Sequence, residues 1–124
     1  MEKNIEIKGT KMVSDGKYCL ILTTCPNNQE AEKLAHSLVE SHLAACVQIT
    51  GITSYYEWKN QVNKDEERLL LIKTLTQRYD EMEQFIKLNH SYDVPEIIAI
   101  PIQNGSYSYL HWIDEIVTNP VNGG

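Results

Sequence analysis

Two long stretches of β-forming sequence meet at a short joint, and that pairing restricts the fold more than any other feature of the chain. Cys46 to Trp58 is followed at once by a return stretch that runs to about Thr74. Asn60 tolerates positive φ, so Trp58-Lys59-Asn60-Gln61-Val62 reads as a tight hairpin turn. Beyond Gly51, where a bulge or bend is expected, Ile52, Ser54, Tyr56 and Trp58 alternate with Thr53, Tyr55 and Glu57. Each strand has roughly 12 residues, against about 5–6 for an ordinary strand. A lone hairpin of that length, with Tyr55, Tyr56 and Trp58 near its tip, is a sticky edge unless a neighbouring subunit pairs with it. The hairpin by itself therefore predicts an oligomer.

The flanking segments supply the rest of the pattern. Tyr18 to Cys25 is short, apolar, rich in β-formers and stopped by Pro26, as in a buried strand. Asn27 caps a following helix, with Glu30 completing a capping-box pattern. Ala31, Leu34, Ala35, Leu38, Val39 and His42 form its apolar stripe. After the hairpin, Thr76 is expected to cap a second helix that turns Tyr79, Met82, Phe85 and Ile86 inward. Pro95 leads into a last strand, Glu96 to Ile102. Gly105 and Ser106 then open a third helix carrying Leu110, Ile113 and Val117. The order β-α-β-β-α-β plus a helix predicts an α+β, ferredoxin-like fold, with both long helices on one face of a four-stranded antiparallel sheet. Residues 1–17 read as a polar extension with a short strand at Ile5 to Lys8, 18–117 as the domain, and 118–124 as a mobile tail.

With 124 residues the chain is of single-domain size. Its net charge of -6 opposes binding to nucleic acid or to anionic membranes. Cys19, Cys25 and Cys46 are odd in number and show no CxxC spacing, which points to a reducing compartment. No apolar stretch is long enough to span a bilayer, so a cytoplasmic location is expected. Neither a GxSxG elbow nor a GxxxxGK phosphate loop occurs. The stretch after the first strand, Cys25-Pro26-Asn27-Asn28, lacks the arginine that a ferredoxin-like acylphosphatase needs there.

Five stretches, in order, resemble the CutA family. They are Leu43-Ala44-Ala45-Cys46, Ser54-Tyr55-Tyr56-Glu57-Trp58, Glu67 through Lys73-Thr74, Tyr92-Asp93-Val94-Pro95-Glu96-Ile97, and Gly105 with Tyr109-Leu110 and Trp112. The resemblance runs from about Tyr18 to Val117. It implies a homotrimer whose long hairpin strands pair between subunits, similar in architecture to the PII signalling proteins. It also implies a role in divalent-cation tolerance, copper binding in some members, and no established catalytic reaction. Three positions depart from the family pattern. Asn60 stands for a frequent Gly, Ser91 for a frequent Pro, which is expected to loosen the loop, and Thr23 for a Cys found in some metal-binding members. Threonine is a poor copper ligand; Cys25, two residues along on the same face, is the candidate substitute.

His90, Tyr92 and Glu96 cluster around the loop into the last strand, and imidazole with carboxylate suits a divalent metal. The expected metal ligands are His90, Glu96 and Cys25. Glu67 and Lys73 point to one face of their strand. With Tyr55, Trp58 and Tyr92 they are expected to line an inter-subunit cleft for a metal or a small anion; the plainer reading is an interface network in which a carboxylate pairs with Lys73. Tyr56, Trp58 and Trp112 are assigned to the trimer interface. The leading expectation is a trimeric, non-catalytic protein that binds divalent cations. A PII-like regulator that takes an anionic effector and touches a partner protein, and a scaffold without a ligand, stand as alternatives.

Overall fold

The computed structural model describes residues 5–8 and 11–118. Its elements are β1 (Ile5–Lys8), β2 (Lys11–Ser14), β3 (Tyr18–Cys25), α1 (Asn28–Glu40), β4 (Cys46–Trp58), β5 (Gln61–Leu75), a 3-10 turn (Thr76–Arg78), α2 (Tyr79–Leu88), β6 (Ile98–Pro101), β7 (Asn104–Ser106) and α3 (Tyr107–Thr118). Four strands form an antiparallel sheet in the order β4-β5-β3-β6, the ferredoxin-like arrangement expected.

The hairpin β4-β5 pairs without interruption from Cys46↔Lys73 to Trp58↔Gln61. Lys59 and Asn60 both take positive φ, 53° and 63°, as a two-residue turn matched to strand twist requires. Gly51 sits in regular register opposite Arg68, so the bulge expected there is absent. The glycine has a different reason. A Cβ at this position would lie 2.5 Å from Arg68 Nη1, so the missing side chain leaves room for the guanidinium.

One sheet face is covered by both long helices. Cys19, Ile21 and Cys25 of β3 and Leu70 and Ile72 of β5 pack there against Ala31, Leu34 and Leu38 of α1 and Met82 and Ile86 of α2. Side chains alternate along strands, so Leu20, Leu22, Leu69 and Leu71 point to the opposite face, with Ile98 and Ile100 of β6 beside them. α3 covers only one end of that face, where Leu110, Ile113 and Val117 bury Tyr18, Ala45 and Leu75. Among the described residues nothing covers the remainder: the four leucines are half-buried, and Ile98 and Ile100 are 47% and 43% exposed. Thr23 lies in the covered layer, and its hydroxyl is a fully buried side-chain polar atom without a hydrogen-bond partner among the described residues.

Several local expectations change. His42 is not part of the α1 stripe. The helix ends at Glu40, and His42 takes φ 63°. The Leu43 N–H then bonds the Leu38 carbonyl and the His42 N–H bonds that of Val39, a Schellman closure with histidine where glycine is usual. Thr76 does not cap α2; it opens the 3-10 turn, and its hydroxyl donates to the Gly16 carbonyl. Gly105 and Ser106 belong to β7 rather than to a helix start, although Ser106 Oγ does accept the Tyr109 N–H at 3.3 Å.

The last strand of the sheet is also shorter than the Glu96–Ile102 expected. Leu22 lies opposite Ile98, so Thr24 would face Glu96 if the ladder continued. The Thr24 carbonyl is taken instead by the His90 ring. Residues 1–17 include a hairpin, β1 with β2, and β2 pairs with β7 in a second three-stranded sheet. Residues 119–124, most of the expected tail, lie outside the described residues.

Candidate metal centre

Three segments converge at the end of β3. Cys25 is the last residue of that strand and is fully buried. Asn27 caps α1 by accepting the Glu30 N–H at 2.8 Å, which fixes Glu30 in the first helical turn beside the strand end. The capping box is only half made. The Glu30 carboxylate reaches out to Ser91, accepting its N–H at 3.0 Å and its hydroxyl at 2.8 Å. Ser91 therefore ties its loop to α1 instead of loosening it, and a proline there could not donate the N–H.

His90 follows α2, and its side chain is 0% exposed. Its Nε2 lies 2.6 Å from the Thr24 carbonyl oxygen, and its Nδ1 lies 3.0 Å from the Tyr92 amide nitrogen. A carbonyl only accepts and an amide N–H only donates. The ring proton consequently sits on Nε2, and Nδ1 presents its lone pair. The Tyr92 N–H takes that lone pair, and Glu30 Oε2 lies 3.5 Å from the same nitrogen. Donor atoms of Cys25, Glu30 and His90 all lie within 4.8 Å of one another.

Burial pushes the Cys25 thiol up to about 12 from its ordinary 9.0, with the negative charges of Glu30 and Glu67 adding to the rise. The thiol is thus more easily ionised in the unfolded chain than in the folded one. Its contribution to stability is complete below pH 9 and is lost as the pH rises toward about 12. Urea unfolding midpoints should fall across that window, and Cys25→Ala should flatten the fall.

The residues expected to form the site divide as follows. Cys25 and His90 come together, and the carboxylate beside them is Glu30. Glu96 is exposed on the stretch leading to β6. The five cleft residues occupy three places within one chain. The Tyr92 hydroxyl donates to Glu67 at 2.8 Å, and this bond, with burial as the larger cause, holds the phenol above its usual range. Lys73 does not pair with Glu67. Six residues along a strand is about 20 Å, and Lys73 Nζ instead donates to the Tyr109 hydroxyl at 3.3 Å. Tyr55 and Trp58 stand at the hairpin tip, 68% and 60% exposed.

Of the residues assigned to the interface, Tyr56 donates its hydroxyl to Asp65 on the adjacent strand. Trp112 is half-exposed on α3, against the Tyr109 ring. Sequence reasoning passed over Glu30 because its place three residues after an N-cap has an ordinary helical explanation. The available signal was its nearness to a strand that ends in cysteine.

The donor set suits a borderline divalent ion: a thiol, an imidazole nitrogen that carries no proton, and a carboxylate. A cleft of about 460 Å³ between α1 and the loop after α2 is lined by Glu30, Lys33, Asn89, His90 and Ser91 among others, with the Cys25 sulfur buried behind it.

The family described as CutA1 divalent ion tolerance protein matches residues 19–116. Protein CutA of Mus musculus is 39% identical over 110 residues, 88% of this chain and 62% of that protein, so the chain spans less than two thirds of the mouse relative. The divalent-cation tolerance protein CutA of Thermus thermophilus is 44% identical over 97 residues, 77% of this chain and 94% of that one. Among solved structures, the periplasmic divalent cation tolerance protein CutA of Archaeoglobus fulgidus superposes with a TM-score of 0.79 at 39% identity, covering 81% of this chain and 98% of its own.

Proposed function

Since this chain belongs to the CutA1 divalent ion tolerance family, we propose that it works as a homotrimer that takes up divalent metal ions and performs no catalytic step. The observation that carries the metal clause is the convergence of Cys25, Glu30 and His90, the last two of which line a solvent cleft. The assembly clause rests on the bare apolar face of the main sheet and on the hairpin tip. Monomeric proteins rarely leave an apolar patch of that kind open. A closed ring of three copies covers the face and gives Tyr56, Trp58 and Trp112 neighbours.

Copper and zinc are the ions to titrate, in a calorimeter, with the reduced full-length protein. The reading expects saturable uptake tighter than millimolar, weakened in His90→Ala. Equal and unsaturable heats for both proteins would end the metal clause.

A further inference from the structure

We propose that Cys25 Sγ, His90 Nδ1 and the Glu30 carboxylate ligate a single zinc-class divalent ion, with the fourth position open to water from the cleft beside α1. The proposal rests on the divalent-ion reading above and names the ligands and the ion class.

The imidazole carries the geometric argument. A ligating histidine usually gives its other ring N–H to a carbonyl or a carboxylate, which fixes the tautomer and aims the lone pair. Here the Nε2–H goes to the carbonyl of Thr24, the residue next to Cys25. Two consecutive residues of β3 thus orient the ring and supply the sulfur. Nδ1, an acceptor in this tautomer, lies 3.5 Å from Glu30 Oε2, a second acceptor. Each is covered by one amide: the Tyr92 N–H on Nδ1 and the Ser91 N–H on Oε2. A cation takes the place of both amides at once.

The distances permit it. Tetrahedral zinc with bonds of about 2.0–2.3 Å sets its donors about 3.3–3.8 Å apart, so donors now within 4.8 Å need contract by roughly 1 Å. Sulfur and imidazole nitrogen disfavour magnesium and calcium, which prefer oxygen alone. Charge balances too. Zinc displaces the Cys25 proton to solvent, and the two positive charges of the ion meet one thiolate and one carboxylate. The complex is neutral, which suits a fully buried sulfur and imidazole. No electron is transferred. Loading lifts Ser91 and Tyr92 off their acceptors, so the loop 90–92 loosens while Tyr92 keeps its hydroxyl on Glu67.

Cobalt(II) is the probe, because a bound thiolate gives it a near-ultraviolet charge-transfer band. The wild type should saturate at one cobalt per chain with that band, and zinc should displace the cobalt. Cys25→Ala should abolish the band and weaken zinc by about 100-fold or more, and Glu30→Gln should weaken zinc by at least about 10-fold with the band retained. Cys46→Ala, altered outside the cluster, should bind as the wild type does. Amide exchange at Ser91 and Tyr92 should quicken on loading. Cys25→Ser, with its circular dichroism compared with wild type, guards against a folding defect in the alanine variant. An undiminished band in both Cys25 variants, or loss of the band in Cys46→Ala alone, overturns the assignment. Zinc uptake that is unchanged in Cys25→Ala refutes these ligands and leaves divalent-ion binding standing. Absence of saturable zinc or cobalt uptake in the wild type refutes both.

Discussion

Leu71→Asp is expected to release folded single chains from the assembly. Leu71 lies in β5, opposite Leu22 in β3 and Gln48 in β4, on the face that neither long helix covers. In one chain it is only half-buried, so a carboxylate there can turn to water at small cost. In a trimer the same carboxylate enters an apolar contact, where an unpaired charge costs several kcal/mol even after relaxation, and the cost recurs in every subunit. Size-exclusion chromatography with light scattering at micromolar concentration should show loss of the assembly, with the far-ultraviolet circular dichroism retained. If the variant stays assembled with unchanged heat stability, the bare face is not the interface.

Ile72→Ala, one residue along, should do the opposite. Ile72 is fully buried between Ile21 and Val47 under the two helices. Truncating a buried isoleucine to alanine removes transfer free energy and leaves a cavity, a loss of about 2–5 kcal/mol. The loss should appear in urea unfolding compared with wild type at matched concentration, while the assembly survives in native buffer. A change below about 1 kcal/mol would mean that the helices do not seal this layer as described. The two substitutions are neighbours in sequence and address opposite sheet faces, one by adding a charge and the other by opening a cavity, so together they separate folding from association.

That separation was partly readable from the chain. The hairpin, the two long helices and the element order follow from local periodicity, and periodicity depends only on which residues must be buried. Where a residue's role depends on a distant partner, local rules misled. Gly51 looked like a bulge because nothing local announces that Arg68 lies across from it. Thr76 looked like a cap because its true acceptor, the Gly16 carbonyl, is 60 residues away. His42 extended the apolar stripe by spacing alone, whereas the helix closes where the Leu43 N–H bonds back to the Leu38 carbonyl and both leucines are buried.

The candidate site shows the same division. Cys25 and His90 were legible as metal-ligand types. Their carboxylate partner was not, since Glu30 and Glu96 are equally near in chemistry and only the fold decides which one stands at the strand end. Ser91 is the instructive case. Taken alone, the exchange of proline for serine suggests a slacker loop; placed beside Glu30, it supplies two hydrogen bonds.

Sedimentation equilibrium of the wild-type protein tests the central claim most directly, because the proposed assembly is what would bury the half-covered sheet. The account predicts a single species of three chains, each of 14.2 kDa, that persists on dilution through the micromolar range. A stable species with the mass of one chain would contradict it.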